Sequence, residues 1–265
     1  RIDTFRMLLG IALLLYMGFR WTYADEWLTS AGFHLSAGNL PYHPFAVPLL
    51  APEFLPLFGF IFFGSIFAFI LGWKLRFTTW IVLITVAYVT FADQLSAFSV
   101  NKLLIGTLTV LALAPLGPYW IIDGEKKSAL QPAWPLRVLQ ITLLIHFFMA
   151  GWNKAYFGEW LTEPDVLWTQ IQGPYRTDLA AYLAHALPLK VWMILQSSAL
   201  AFELLCPVLF CIKRLRPVGF IWGLLFQGMI ILTMQHLVYF ILVVCCFFIL
   251  FVENSHLHRA LNFTS

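Results

Sequence analysis

Long apolar runs limit what this chain can fold into more than any other feature of the sequence. Hydropathy marks eight of them, and most reach or approach the roughly 20 residues needed to cross a hydrocarbon core. Hydrophobic residues make up 61% of the chain and charged residues only 11%, whereas a soluble domain carries about a quarter charged residues. The sequence therefore predicts an integral membrane protein that contacts the lipid bilayer.

The runs predict an all-α, polytopic membrane bundle of about eight transmembrane helices. No repeat or low-complexity linker divides the chain, so residues 1–265 are expected to form a single transmembrane domain with no domain outside the membrane. The first run lacks a following small-residue cleavage site and is interpreted as a helix, not as a signal peptide. The predicted segments are residues 4–19, 54–73, 78–98, 102–116, 136–154, 190–212, 217–234 and 236–252.

Lysine and arginine positions set the predicted orientation, because these residues favour cytoplasmic loops. With eight helices every basic cluster falls on one side, so both termini are expected to be cytoplasmic. The outer side then receives two long structured loops, about residues 20–53 and 155–189, and the second includes a predicted short amphipathic helix over 177–187. Four tryptophans of these loops suit a membrane–water interface: Trp21, Trp27, Trp160 and Trp168.

Charge, cysteine and histidine patterns argue against several other classes of protein. The net charge of +3 is small and the basic residues are scattered, so no nucleic-acid partner is expected. The four cysteines lie in apolar runs without a CxxC motif, and the histidines lack ligand spacing, so neither disulfides nor a metal site is expected. The lack of a disulfide pattern favours a bacterial inner membrane over an endoplasmic reticulum.

Four ionisable residues lie within the apolar runs, where each charge costs about 2.5–3.5 kcal/mol to insert and is therefore a functional hypothesis. They are Asp93, His146, Lys154 and Glu203, with Gln94, Gln196 and Gln227 as neutral companions. At about 1.5 Å of rise per residue, His146 and Glu203 lie about 15 and 14 Å from the cytoplasmic ends of consecutive helices. We therefore predict a hydrogen bond between these two side chains, which either serves function or only fixes helix register.

Lys154 ends the fifth segment on its outer side, two turns after His146. In one interpretation the lysine snorkels, so that its stem stays in apolar surroundings and its ammonium reaches the headgroups. In the other it is desolvated beneath the outer loops and left as a neutral amine, which could act as a general base. Spacing alone does not separate the two.

A polar cluster is predicted at the outer mouth of the bundle. Asp93 lies a few residues below the outer end of the third segment, and Asn101 and Lys102 follow at that surface. Together with Lys154 these residues would place two cations, a carboxylate and an amide at one opening.

Arg20 is a cation on the side that the charge rule disfavours. It is expected to pair with Asp25 or Glu26 or to bind an anionic ligand. A simple headgroup contact without function is the equally supported alternative.

Four segments follow one another in an order and spacing typical of a membrane protein family. "FFMAGWNKAYFGEW" (147–160) has an alanine–glycine pair, a lysine, and then an acidic residue with tryptophan, and "NKLLIGTLTVLALAPLGPYWIIDG" (101–124) leads into Tyr-Trp and an Asp-Gly turn. Glu203 precedes a basic turn with glycine, "KRLRPVG" (213–219), and the opening run is "RMLLGIALLLYMGFRW" (6–21). These segments resemble vitamin K-dependent γ-carboxylase and its bacterial relatives with the HTTM domain.

The resemblance implies an activity and a role for one lysine. In the carboxylase, the lysine that matches Lys154 is regarded as the base that deprotonates vitamin K hydroquinone. Reaction with oxygen yields an epoxide and a strong base, which removes a γ-proton from a protein glutamate for attack on CO2. The resemblance thus implies a carboxylase-like or epoxidase-like lyase with a quinone or quinol cofactor and a site on the outer or lumenal face.

Three positions depart from the carboxylase pattern. Asn101 stands where the carboxylase has a histidine, Asn153 replaces the first lysine of its pair, and Gln227 replaces a histidine of the penultimate helix. The large lumenal domain that binds propeptides in the carboxylase is not expected here. These departures favour an HTTM relative that keeps a quinol pocket, or one that has lost the chemistry.

Three functions stay open at this point: an enzyme with Lys154 as base, a non-catalytic accessory subunit of a larger membrane complex, and a maturation factor for secreted peptides. An enzyme should enclose Lys154 in a pocket at the outer face. A subunit should hold Lys154 in a salt bridge or among headgroups, and should present a wide apolar flank to other chains.

Overall fold

The computed structural model describes residues 1–34, 47–92, 99–115 and 132–253, which are mostly helical and contain isolated β-bridges but no strand. The all-α class predicted from hydropathy is thereby confirmed. The α-helices are α1 (Ile2–Trp21), α2 (Ala24–Leu28), α3 (Leu55–Leu71), α4 (Leu75–Ala92), α5 (Ser99–Leu113), α6 (Trp134–Phe157), α7 (Val166–Gln170), α8 (Asp178–Ala186), α9 (Leu189–Cys211), α10 (Arg216–Thr233) and α11 (Val238–Phe248).

Six of the described helices are long and apolar enough to cross a membrane, namely α1, α3 with its preceding 3₁₀ turn, α4, α6, α9 and α10. They coincide with six of the eight predicted segments. The fourth and eighth segments correspond to shorter apolar helices, Ser99–Leu113 and Val238–Phe251. The chain is therefore a multi-pass integral membrane protein, and the count of eight spans stays a prediction.

Contacts group the chain into two units, residues 1–137 and 138–265. The expectation of a single transmembrane domain stays a prediction. In the first unit α1 packs on α3, α3 on α4, and α4 on α5. Trp21 at the end of α1 lies against three phenylalanine rings of α3, with ring centroids 5.0–6.3 Å apart. Gly59 makes room for it, because a Cβ there would lie 2.5 Å from the indole ring. Trp21 thus joins α1 to α3.

A buried arginine joins the start of α1 to the end of α3. Arg6 is fully buried, and its guanidinium donates to the backbone carbonyls of Phe69 and Ile70. Gly72 then ends α3 with φ of 72°, a left-handed cap that glycine adopts without strain. A cation is favoured at a helix C-terminus, where the last carbonyls have no partner within the helix. In the sequence analysis Arg6 serves only to predict which side of the membrane is cytoplasmic. In the structure its side chain is buried and also joins two helices of the first unit.

The second unit is built from α6, α9, α10 and α11 around packed aromatic rings. Phe147, Phe202 and Phe226, from α6, α9 and α10, lie 5.3–6.5 Å apart between ring centroids. Phe248 of α11 stacks on Phe147 at 6.4 Å. Gly223 lets α10 approach closely, because a Cβ there would lie 2.9–3.0 Å from the rings of Phe248 and Phe202. These contacts hold the four helices as one packed body.

Gln196 of α9 holds the segment that follows α6. Its amide oxygen accepts from Leu167 N at 3.0 Å, and its amide nitrogen donates to the carbonyls of Trp160 and Glu163 at 2.9 and 2.7 Å. Gln196 is 3% exposed, so these bonds satisfy most of what a buried amide can form. One side chain thereby fixes residues 160–167 against α9.

The helix predicted over 177–187 is confirmed as α8. Thr177 caps it by accepting from Ala180 N, and the same hydroxyl donates to Leu232 O at the end of α10. The buried face of α8 presents Ala180 and Ala184 to a cluster that includes Trp192 of α9. Residues 158–188 are therefore packed against both α9 and α10.

Candidate functional site

A charged pair joins α6 to α9 within the second unit. Lys154 Nζ donates to Glu203 Oε1 at 2.5 Å, and the two groups form an ion pair. The Glu203 side chain is 5% exposed and that of Lys154 is 29% exposed. Each charge alone would be costly at membrane depth, and an opposite charge offsets that cost. Each of these predicted site residues therefore makes the other tolerable.

Gly151 sets the distance between α6 and α9 at this level. A Cβ at this position would lie 2.9 Å from Glu203 Cβ and 3.1 Å from Leu204 N. Small residues allow helix backbones to approach closely in membranes. Lys154 follows one turn later on nearly the same face of α6, so the close approach brings its side chain within reach of the carboxylate. The alanine–glycine pair before Lys154 therefore has a packing role.

The predicted hydrogen bond between His146 and Glu203 is wrong. Glu203 bonds Lys154 instead, and the His146 ring packs 5.8 Å from the Phe240 ring. Depths measured from the cytoplasmic helix ends placed His146 opposite Glu203, but the residue of α6 at that level is Gly151. The five-residue difference corresponds to about 7.5 Å of helix. Hydropathy locates helix ends too loosely to set the register between two helices.

Two aromatic rings flank the Lys154 ammonium. Nζ lies 4.6 Å from the ring centroid of Trp160 and 5.9 Å from that of Phe226, which is cation–π range. In snorkelling the ammonium would be left to the headgroups, whereas here a carboxylate and two rings hold it. Trp160 is 6% exposed and packs on Ala199, so its ring lies inside the protein, and its predicted place at the membrane–water interface stays a prediction. The ammonium and Gln196 together draw this tryptophan inward.

Two buried oxygen atoms of this unit have no hydrogen-bond partner among the described residues. They are Glu203 Oε2 and Gln227 Oε1, and Gln227 directly follows Phe226 in α10. Buried polar atoms are almost always paired, and leaving one unpaired costs about 1–3 kcal/mol. An ionised carboxylate and an amide oxygen only accept hydrogen bonds. A molecule that satisfies them must therefore carry donors such as hydroxyl groups.

A cavity of about 350 Å³, lined by residues of α7, α9, α10 and neighbouring segments, lies next to residues that surround the ion pair. Phe226 lines the cavity and also faces the Lys154 ammonium, and Ala199 lines it and also packs on Trp160. The volume falls within the roughly 300–1,000 Å³ of small-molecule sites. Lys154 itself is not in its wall. This cavity is therefore beside the lysine and is not the predicted pocket that encloses it.

Asn101 and Arg20 belong to the first unit, where Tyr16 connects them. Tyr16 Oη donates to Asn101 Oδ1 at 2.7 Å and accepts from Arg20 at 3.1 Å. Asn101 is fully buried within this unit, and its predicted position at the outer end of the bundle stays a prediction. Arg20 also lies 4.6 Å from the ring centroid of Trp27, and its predicted pairing with Asp25, Glu26 or an anionic ligand stays a prediction. Tyr16 was missed, although its spacing of four residues from Arg20 places both on one helix face.

The remaining predicted site residues take no part in the ion pair. Asn153 is exposed, because successive helical residues point about 100° apart and Lys154 faces α9. Lys102 is exposed on α5. Asp93 lies outside the described residues, so the predicted cluster of Asp93, Asn101, Lys102 and Lys154 stays a prediction.

The described residues offer proton-transfer chemistry at this site. Lys154 and Glu203 are an amine and a carboxyl group in direct contact, in aromatic surroundings. In residues 1–34, 47–92, 99–115 and 132–253, no group of three or more His, Cys, Asp or Glu side chains could hold a metal ion.

Comparison with protein families gives a match over nearly the whole chain. The model of the HTTM domain matches residues 2–255. The match spans both structural units and every predicted site residue. Comparison with curated proteins and with solved structures finds no match. The helices that can cross a membrane and the extent of this match show that the chain is a membrane protein of the HTTM family.

Proposed function

We propose that this HTTM-family protein is a membrane enzyme in which Lys154 and Glu203 remove a proton from a lipid-soluble quinol, in carboxylase-like or epoxidase-like lyase chemistry. The observation that carries the proposal is a buried ion pair with one carboxylate oxygen unused, Glu203 Oε2. A pair that only joined two helices would be more stable with both oxygens satisfied, because an unpaired buried acceptor costs about 1–3 kcal/mol.

A quinol fits the groups that surround the pair. When bound, a quinol supplies two acidic hydroxyl groups on an electron-rich ring. Glu203 Oε2 is an unpaired acceptor for such a hydroxyl. The rings of Trp160 and Phe226 offer aromatic surface to a flat molecule.

Lys154 acts as the base through its partner. An ammonium group has no lone pair, so it must lose a proton before it can accept one. Glu203 Oε1 lies 2.5 Å from Nζ and can take that proton. This transfer leaves a neutral amine beside a neutral acid and does not change the total charge of the pair. The neutral amine then accepts the quinol proton at Nζ. Lys154 is again an ammonium, and Glu203 keeps the proton it received.

The proposal includes an orientation. Both termini are cytoplasmic, and the Lys154 end of α6 faces the outer side of a bacterial inner membrane. Its support is the distribution of lysine and arginine, which falls on one side when eight segments cross the bilayer.

Replacing Lys154 by arginine tests the role of the lysine most sharply. Arginine keeps the positive charge and can still pair with Glu203, but it does not release a proton in proteins. We expect oxygen-dependent quinol consumption by reconstituted protein to fall by about 10²–10⁴-fold in Lys154→Arg and in Lys154→Ala. Lys154→Arg should keep most of the thermal stability. Lys190→Arg, at an exposed lysine of the same unit, is the matched control and should keep full activity.

Two results would overturn the proposal. Near-native quinol consumption by Lys154→Arg would show that the site needs only a fixed cation. Native protein that consumes no quinol with any of several tail lengths, although it is folded, would remove the enzymatic interpretation.

A non-catalytic function is the second candidate: an accessory subunit of a larger membrane complex, or a maturation factor for secreted peptides. It is favoured because Lys154 is held in an ion pair and does not line the cavity. The exposed side of α6 also carries stacked rings of Phe148, Trp152 and Tyr156, at 6.1–6.2 Å. On this candidate the native protein is inactive with quinol and co-purifies with another membrane protein in a fixed ratio.

A further inference from the structure

We infer that the 350 Å³ cavity of the second unit binds a lipid-soluble molecule with a carbonyl group, and that Trp192 donates a hydrogen bond to that carbonyl. The inference goes beyond the proposed function. Neither Lys154 nor Glu203 lines the cavity, so the site can bind its ligand whether or not the ion pair performs chemistry.

The indole nitrogen of Trp192 is the observation that points to a ligand. Trp192 is 1% exposed and lines the cavity, and its Nε1–H has no hydrogen-bond partner among the described residues. Two other tryptophans of this unit are paired, since Trp168 donates to Ala184 O and Trp222 donates to Ser198 Oγ, both at 3.0 Å. An indole N–H can only donate. An acceptor on a bound molecule would supply the partner that the protein does not.

Ser198 adds a second donor to the cavity wall. Its Oγ accepts from Trp222, and its hydroxyl hydrogen has no acceptor among the described residues. Most of the remaining wall is apolar and includes Leu195, Phe226 and Met229. The hydroxyl of Thr233, which also lines the cavity, already donates to Met229 O. Two remaining donors in a mostly apolar wall match a molecule whose polar atoms are carbonyl oxygens, because such a molecule brings acceptors and no donors of its own.

The position of Leu225 indicates how such a molecule enters. This residue lines the cavity and is 65% exposed, so the cavity reaches the outer flank of α10. α10 is one of the candidate membrane spans, and only 22% of its apolar window is buried. A flank of this kind faces lipid. The ligand therefore enters sideways from the bilayer and not from water.

Two sources carry this chemistry, the ester carbonyl of an acyl lipid and the ring carbonyl of an isoprenoid quinone. The experiment incubates purified protein with a prenylated 1,4-naphthoquinone or with a phosphatidylcholine with deuterated acyl chains. Gel filtration removes free probe, and mass spectrometry measures what the protein retains. The probe that is retained identifies the source.

Trp192→Phe keeps the ring and removes only the N–H. It is expected to weaken retention of the preferred probe by about 5- to 10-fold, the effect of one hydrogen bond. Trp168→Phe, whose N–H bonds a backbone carbonyl outside the cavity, is the matched control and should keep retention. Met229→Trp fills the cavity and should abolish retention, whereas Leu232→Trp, on the same helix but outside the wall, should not.

The inference is overturned if native protein retains neither probe above a detergent blank, or if Met229→Trp retains as much as Leu232→Trp. If Trp192→Phe does not fold, probe retention by Met229→Trp compared with Leu232→Trp alone decides whether the cavity binds the ligand. Lys154→Ala should keep retention and lose quinol consumption. The cavity site and the proposed function therefore fail through different measurements.

Discussion

Removing the charge of Lys154 measures what the ion pair contributes to stability. In Lys154→Met the apolar stem is largely kept, and Glu203 is left buried without its cation. Opposite charges 2.5 Å apart attract by about 6–7 kcal/mol at an effective dielectric constant of 20. Desolvation offsets much of this, and breaking a buried pair by removing one partner costs about 3–5 kcal/mol. Lys154 is 29% exposed, so the lower end of that range is expected.

Protonation of Glu203 in Lys154→Met sets an upper limit on the cost of keeping its carboxyl ionised without a partner. A glutamic acid with the ordinary pKa of about 4.3 can be protonated at pH 7 for about 1.36 kcal/mol per pH unit, or about 3.7 kcal/mol. Since the variant can take this route, keeping the carboxyl ionised cannot cost more than about 3.7 kcal/mol at pH 7 beyond the cost of burying the neutral acid. At pH 5 the limit falls to about 1 kcal/mol, because protonation is easier. We therefore expect Lys154→Met to lose about 3 kcal/mol at pH 7 and clearly less at pH 5.

The assay is reversible unfolding in mixed micelles, followed by circular dichroism, for Lys154→Met, Glu203→Gln and the double variant. We expect Glu203→Gln to lose about 2 kcal/mol of unfolding free energy and the double variant no more than about 2 kcal/mol, so the coupling energy is at least about 3 kcal/mol. Lys190→Met, at an exposed lysine, should change stability by less than about 0.5 kcal/mol. The reasoning is refuted if the losses of unfolding free energy in the two single variants add up to the loss in the double variant. It is also refuted if Lys154→Met loses the same free energy at pH 7 and at pH 5.

Two further predictions concern the packing around the pair. Gly151→Ala should destabilise the protein by about 1–3 kcal/mol in the same unfolding assay, because its Cβ would lie 2.9 Å from Glu203 Cβ. Gly228→Ala, with nothing within 4 Å, should not destabilise it, and equal effects would contradict the close helix approach. Gln196→Leu should raise amide exchange of residues 160–167 by about 10-fold or more, since it removes three hydrogen bonds. Exposed Gln170→Leu should leave exchange unchanged, and unchanged protection in Gln196→Leu would count against this role.

The membrane helices could be predicted because an apolar run of about 20 residues has few other physical explanations. α1, α3, α4, α6, α9 and α10 all lie where hydropathy placed them. The register between helices could not be predicted, because it depends on where two backbones come closest. Gly151 decides that level for α6 and α9. The sequence does show a small residue one turn before the lysine, and this glycine is the feature from which the close approach could have been predicted.

Lys154 and Glu203 could each be predicted as site residues, because an ionisable group in an apolar run is costly wherever it lies. Their pairing could not be predicted, since it follows from the contact at Gly151. The inward position of Trp160 escaped prediction for a similar reason. A tryptophan in a loop suits the interface by composition, but Gln196 binds its backbone carbonyl and Lys154 lies over its ring.

The charges at Lys154 and Glu203 are not needed to hold α6 against α9. Phe147 and Phe202 already join the two helices, and Gly151 already brings them together. Replacing both members of a buried ion pair by apolar residues of similar volume is often neutral or stabilising, whereas removing one member is not. Stability therefore explains why each charge needs the other, but not why either is present. On the proposed function, the buried amine and carboxyl group are in contact, with one oxygen still unpaired, because a proton moves between them when a hydroxyl-bearing ligand arrives.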